Sequence, residues 1–377
     1  MVYFDNSATT KTDSRVIDTM MPYLTNNYGN ASSIYSIGRQ ARIVIENARN
    51  QVSKAIKCNP NEIYFTSGGT ESDNMAIIGI AHAYSKKGNH IITSAIEHPA
   101  VLNTLERLKR QGFDITYIPV DKKGVVDVAK LENAITSKTI LITIMFANNE
   151  IGTIQPIKEI GKIAKAHNIV FHTDAVQAIG HIDIDVESLN IDSLSISAHK
   201  IYGPKGVGAL YIKKGVKCDP LITGGHQERD HRAGTENTAS IVGLGKAIEL
   251  LNEIDNDLIC QLRDHTLYRI TNEINGVTIN GSTEHRLPNN INISFADVSG
   301  DALLFNLDLK GICASSGSAC TSGSLEPSHV LTAIGLPEQL VKSSLRITLG
   351  KYNTLEECDF LVDVLKEIVL RLRSIKK

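Results

Sequence analysis

Lys200 ends the run Ser195-Ile196-Ser197-Ala198-His199-Lys200, an apolar, serine-bearing stretch that reads as a strand running into a turn. A lysine held there, away from bulk water, would have its ammonium form disfavoured and its amine made nucleophilic. Schiff-base formation with a carbonyl is the chemistry this suits. Asp174 closes a second strand-like stretch, Ile169-Val170-Phe171-His172-Thr173-Asp174, 26 residues upstream (200 − 174). A Schiff-base lysine with an acid able to hold a pyridinium nitrogen is what a pyridoxal phosphate (PLP) site requires. The same pair also fits two ordinary strand ends with a lysine in a turn.

Other residues add to the pattern. Gly68-Gly69-Thr70-Glu71-Ser72 follows the strand-like Glu62–Ser67. A glycine turn feeding a helix start leaves backbone N–H groups and a favourable dipole for a phosphate, although a plain turn capped by Thr70 reads equally well. His98, in Glu97-His98-Pro99-Ala100, could stack on an aromatic ring and move protons, or simply cap a helix. Asn149 and Gln177 offer neutral donors for a substrate carboxylate or a ring oxygen. Cys320 sits in Ser315-Ser316-Gly317-Ser318-Ala319-Cys320-Thr321-Ser322-Gly323-Ser324, a stretch with no large side chain to bury it. A thiol there is a poor core residue and a plausible travelling nucleophile, or an incidental loop cysteine.

The elements that would position these groups alternate along the chain. Strands are expected at Glu62–Ser67, His90–Ile96, Ile115–Val120, Thr139–Ala147, Ile169–Asp174, Ser193–Ala198 and Gly208–Ile212, and helices near 70–87, 98–111, 127–135 and 156–167. That rhythm argues for an α/β fold whose large domain holds a mostly parallel sheet covered by helices. Ligands collect at the carboxyl ends of such strands, where Gly69, Thr70, His98, Asn149, Asp174 and Ser197–Lys200 all fall. Ile37–Ile56 reads as an amphipathic helix. After Gly234 a long helical pattern runs through Ala247–Leu251 toward Ile274; strands Ile291–Phe295 and Leu345–Leu349 and a final helix to Lys377 follow. The expected division is a large domain at 15–255 and a small α+β domain made of 1–14 and 256–377.

A chain of 377 residues, 42% hydrophobic and 21% charged, can build such a core. A net charge of −2 without a long basic run gives no electrostatic footprint for nucleic acid. No apolar stretch reaches the ~18 residues of a membrane span. The first residues do not look like a signal peptide. Six scattered cysteines lack both C-x-x-C pairs and zinc spacing, so reduced thiols, a cytoplasmic location and no metal site are expected.

Five motifs together resemble one family: Phe4-Asp5-Asn6-Ser7-Ala8-Thr9-Thr10, Thr66–Asn74, His199-Lys200 with Tyr202-Gly203-Pro204-Lys205-Gly206, Arg232-Ala233-Gly234-Thr235-Glu236-Asn237, and the Ser315–Ser324 loop. In order and across nearly the whole chain, they look like NifS/IscS-type cysteine desulfurases of the class with the long cysteine loop. The resemblance implies a fold type I, aminotransferase-like PLP enzyme that acts as a homodimer on L-cysteine. It implies that Lys200 carries PLP, Asp174 pairs with the ring nitrogen, Gln177 contacts the ring hydroxyl and His98 stacks on the ring. Gly69, Thr70, Ser197 and His199 would hold the phosphate, with Thr235 reaching in from a second subunit. Arg346 would clamp the substrate carboxylate, helped by Asn149 and Asn30. Cys320 would take the substrate sulfur as a persulfide and pass it to an acceptor such as an iron–sulfur scaffold or a tRNA-thiolation enzyme. A selenocysteine lyase, another PLP-dependent amino-acid transferase, and a non-catalytic sulfur-transfer scaffold are the competing readings.

Overall fold

The computed structural model describes residues 1–316 and 327–375. Strand β1 (Val2–Tyr3) comes first, followed by β2 (Ile63–Thr66), β3 (His90–Ser94), β4 (Asp114–Ile118), β5 (Thr139–Thr143), β6 (Val170–Asp174), β7 (Ser193–Ser197) and β8 (Gly208–Ile212). Strands β2 to β8 form one sheet in the order β2-β8-β7-β6-β5-β3-β4. Neighbours from β4 through β7 are parallel, and β8 runs antiparallel to both β7 and β2. Strands β2 to β7 therefore point the same way, and their carboxyl ends share one edge.

Successive residues in these strands bury on opposite faces. Ile92, Ile142 and Phe171 join one apolar cluster, while Ile91, Leu141 and Val170 join another. Burial on both faces is why the strands read as unbroken apolar runs rather than as alternating ones. The helix Ser36–Ala55 buries Ala41, Ile45, Ala48 and Val52 at helical spacing and packs against Thr238–Glu249. Each large aliphatic buried this way contributes roughly 1.5–3 kcal/mol.

Several expected elements end early, and for three of them the local reason is plain. The strand expected to Ala147 is regular only to Thr143; beyond it Met145 donates its N–H to the Glu97 carboxylate. The strand expected to Ala198 stops at Ser197, where a 3-10 turn over Ala198–Lys200 redirects the chain. The single long pattern toward Ile274 is two helices, Thr238–Glu249 and Asn256–Glu273, parted by a 3-10 turn at Leu250–Glu253. Asp255 starts the second by accepting the Leu258 N–H, an N-cap that competes with continuation of the first.

The remaining strands are β9 (Val277–Ile279), β10 (Asn290–Phe295), β11 (Ile312–Cys313) and β12 (Ser344–Thr348). Strands β12, β10 and β9 form an antiparallel sheet, and β11 pairs with β1 in parallel. Phe4, Ile291, Ile293, Leu345 and Ile347 pack there with Leu361, Leu365 and Ile368 of the helix Leu355–Ile375. The N-terminal strip joins the two sheets. Phe4 accepts the Thr348 N–H at 2.7 Å, and Thr10 donates its N–H to the His199 carbonyl at 2.9 Å.

Candidate active site

The carboxyl edge of the larger sheet encloses a cavity of about 330 Å³. From the end of β2, Gly69 and Thr70 line it at the start of the helix Gly69–Ala83. Gly68 takes φ +151°, and no side chain among the described residues caps this helix, so its first N–H groups are left for another partner. A Cβ on Gly69 would lie 2.8 Å from Val176 Cγ2, so only glycine lets the helix start press against the turn after Asp174.

His98 reaches the cavity as the N-cap of the helix Pro99–Arg110, its Nδ1 accepting the Ala100 N–H at 3.1 Å. With Nδ1 an acceptor, the neutral ring carries its proton on Nε2. Burial holds His98 below the ordinary imidazole value, and the Lys200 and His329 charges add to this against Asp174. It is thus both the helix cap and a cavity residue.

Asp174, at the end of β6, accepts the Val176 N–H through Oδ1 at 2.9 Å. Burial pushes its carboxyl up, while His98 and Lys200 pull it down. Gln177 donates from Nε2 to the Ser7 carbonyl at 3.0 Å. Ser197, His199 and Lys200 complete the lining from the end of β7. His199 Nδ1 lies 3.1 Å from Thr9 Oγ1. Burial, then Lys200 and Lys205, lower His199 to about 4, so its ring is neutral at pH 7. Lys200 Nζ donates to the carbonyls of Ser7 and Ala8, the latter at 2.7 Å, so the N-terminal strip fixes its direction.

Arg346, on β12, is fully buried beside this lining. Its Nη2 meets Asp5 Oδ1 at 2.7 Å, and its Nη1 donates to the Asn149 carbonyl at 3.1 Å. Its Nε has no partner among the described residues. Its backbone pairs with Ser315, whose Oγ also donates to Asp5 Oδ1 at 3.0 Å. The root of the cysteine loop and the buried guanidinium thus share one carboxylate. Cys320 itself lies outside the described residues.

Two named residues are not brought to the cavity. Asn30 is exposed and accepts the Ser32 N–H, and Thr235 is exposed on the turn after Arg232. That turn follows three left-handed residues, Glu228, Arg229 and Asp230. The Glu228 carboxylate holds it by accepting from Arg49 and from the Phe65 N–H, each at 2.8 Å.

Sequence reasoning missed the layer under the cavity. Asp73 lines it from the helix Gly69–Ala83, and its carboxyl is pushed well up, first by burial and then by Asp174. His172, lowered to about 3 by burial, bonds Thr143 at 2.9 Å and Ser195 at 3.2 Å. Burial raises Glu97 to about 8. His172 and Glu97 are therefore neutral at pH 7. An acid just before the apolar run Met75–Ala81 was the available signal for Asp73.

The aminotransferase class-V family model matches residues 2–361. The chain belongs to the class-V aminotransferases. Among this family, it is 56% identical to the cysteine desulfurase IscS of Clostridium botulinum (strain Hall), across 99% of this chain and 95% of that one. A solved NifS-like protein superposes with a TM-score of 0.92 at 41% identity, covering 98% of this chain and 99% of that one. A structure described as SspA in complex with cysteine matches with a TM-score of 0.85 at 39% identity, covering 94% and 100%. This class-V aminotransferase is a PLP-dependent enzyme of the cysteine desulfurase group.

Proposed function

We propose that the chain converts L-cysteine to L-alanine and passes the sulfur on through Cys320. The observation that carries this reading is that Lys200, Asp174 and His98 line one cavity, with Arg346 tied to its wall at Asn149. The lining fits PLP. The uncapped start of the helix Gly69–Ala83, with Ser197 and neutral His199, suits a phosphate. Asp174, pushed up while buried, suits a cationic ring N–H that would restore its charge. Gln177 is at hand for the ring hydroxyl.

When bound, the cofactor supplies the electron sink for the substrate's Cα. The chain does the rest. Arg346 binds the substrate carboxylate through its fork, and Asn149 orients that fork. Lys200 takes and returns a proton at Nζ. His98 presents Nε2–H toward the cavity. The Cys320 thiolate attacks the substrate sulfur; the new S–S bond forms as the substrate's C–S bond breaks, the bonding pair stays on the substrate carbon, which takes a proton to give alanine, and Cys320 is left as a persulfide. Thr235, exposed in one chain, acts across a homodimer, and Asn30 assists in holding the substrate. The acceptor is a protein such as an iron–sulfur scaffold or a tRNA-thiolation enzyme, and the setting is the cytoplasm. Among the described residues no helix is long and apolar enough to cross a membrane.

The test is alanine and sulfide release from L-cysteine with a thiol reductant, comparing wild type with Cys320→Ser. Alanine from wild type alone, with PLP bound in both, is expected. Equal alanine from both proteins removes Cys320 from the reaction.

A further inference from the structure

Three cavities are strung together through Lys200 and His181. The active-site cavity shares Val176, Gln177 and Lys200 with a small inner cavity of about 10 Å³, also lined by His181, Tyr202 and Asn289. His181 in turn lines an outer cavity of about 650 Å³ between the helices Ser36–Ala55 and Thr238–Glu249. That outer cavity is lined by exposed Lys54, Asp183 and Glu249, which open it to solvent.

The inner cavity has the size of one water molecule, which is retained where polar partners surround it. Such a partner is present: Asn289 Oδ1 is buried without a hydrogen bond among the described residues. The orientation of His181 is also fixed. Asn256 donates from Nδ2 to the Gly180 carbonyl at 2.8 Å, so its Oδ1 accepts from His181 Nδ1 at 2.9 Å. The neutral imidazole then leaves Nε2 as a proton acceptor.

We propose that His181, with one water lodged against Asn289, relays protons between Lys200 and solvent in the outer cavity. A proton passes from Lys200 Nζ to the water, and the water gives one to His181 Nε2. Nδ1, beside Asn256 in the outer cavity, returns one to solvent. Only N–H and O–H bonds change, and no electrons move. Burial lowers His181 below the ordinary imidazole value, so a proton taken at Nε2 is held weakly and passed on. The groups around it are Lys54, Lys57, Asp183 and Glu249 outside, with Lys200 and Tyr202 inside. Lys57 and Asp183 are paired at 2.7 Å.

This rests on the reading of Lys200 as the proton carrier. The experiment uses the PLP-loaded enzyme, L-cysteine deuterated at Cα, and mass spectrometry of the alanine formed. In wild type the relay washes the label into solvent. In His181→Phe and Asn289→Leu, Lys200 keeps the proton it took, and label retained at Cα is expected to rise about tenfold or more. A high-resolution crystal structure of wild type is expected to show the water on Asn289 Oδ1. Unchanged retention in both variants, or an empty inner cavity in wild type, overturns the relay alone. No alanine from wild type overturns the desulfurase reading and the relay with it.

Discussion

Replacing Asp5 with alanine tests the node that joins the N-terminal strip, Arg346 and the root of the cysteine loop. Asp5 Oδ1 accepts from Arg346 at 2.7 Å and from Ser315 at 3.0 Å. The Arg346 side chain is 0% exposed, and its Nε already lacks a partner among the described residues. Among the described residues, the substitution leaves that cation with the Asn149 carbonyl alone. Stranding one member of a buried pair costs about 3–5 kcal/mol. The Asp5 side chain is 18% exposed, so water reaches the vacated site. The lower end, ~3 kcal/mol, therefore applies. Over 377 residues, unfolding entropy of about 2.1 cal/mol/K per residue makes 1 kcal/mol worth about 1.3 °C, so the melting temperature is expected to fall by about 4 °C. Scanning calorimetry of wild type, Asp5→Ala and Asp5→Asn reads this out. The amide keeps an acceptor without the charge and should fall between the other two. Lys57→Ala, which breaks a pair 48% and 80% exposed, serves as the control with no resolvable shift. A melting temperature for Asp5→Ala equal to that control refutes the reasoning.

Lys200→Ala is expected to abolish borohydride-reducible attachment of PLP, read by intact mass; attachment persisting in the variant refutes the assignment. Gly69→Ala drives a Cβ to 2.8 Å from Val176. At ~1–3 kcal/mol for such overpacking, PLP retention on dialysis should weaken about tenfold, and unchanged retention removes Gly69 from the cofactor seat. Glu97 has a folded pKa of about 8 against 4.5 for the free group, because it is buried. The folded protein thus keeps a proton that the unfolded chain gives up, so this residue's contribution falls as pH rises from 4.5 to 8. Glu97→Gln removes that titration. Its melting temperature should gain on wild type between pH 5 and 8, and a pH-independent difference contradicts the burial argument.

Much of the larger sheet was legible because its strands are buried on both faces and so carry uninterrupted apolar runs. Those runs also end at the chemistry, which is why Asp174 and Lys200 could be paired from sequence. Ends were less legible where side chains decided them: Glu97 diverts Met145, and Asp255 opens a new helix that periodicity alone runs together with the last. Asp73 and His172 escaped notice because their role is set by neighbours brought from other strands, not by local spacing. Lys200's partners, the carbonyls of Ser7 and Ala8, carry no side-chain signal at all. Thr235 was marked only by motif and Asn30 only by the family resemblance, and a single chain leaves both outside the cavity.

The strip that aims Lys200 and anchors Arg346 has a consequence for how the enzyme comes into being. Asp5 and Arg346 lie 341 residues apart, and Ser7 and Lys200 lie 193 apart. On a ribosome moving at roughly 5–20 residues per second, Asp5 waits roughly 20–70 s for its partner. The first residues made are therefore among the last to settle. Until β12 has emerged, Arg346 does not exist to bind a carboxylate, so a half-made chain cannot release sulfur from cysteine before its cysteine loop has been made.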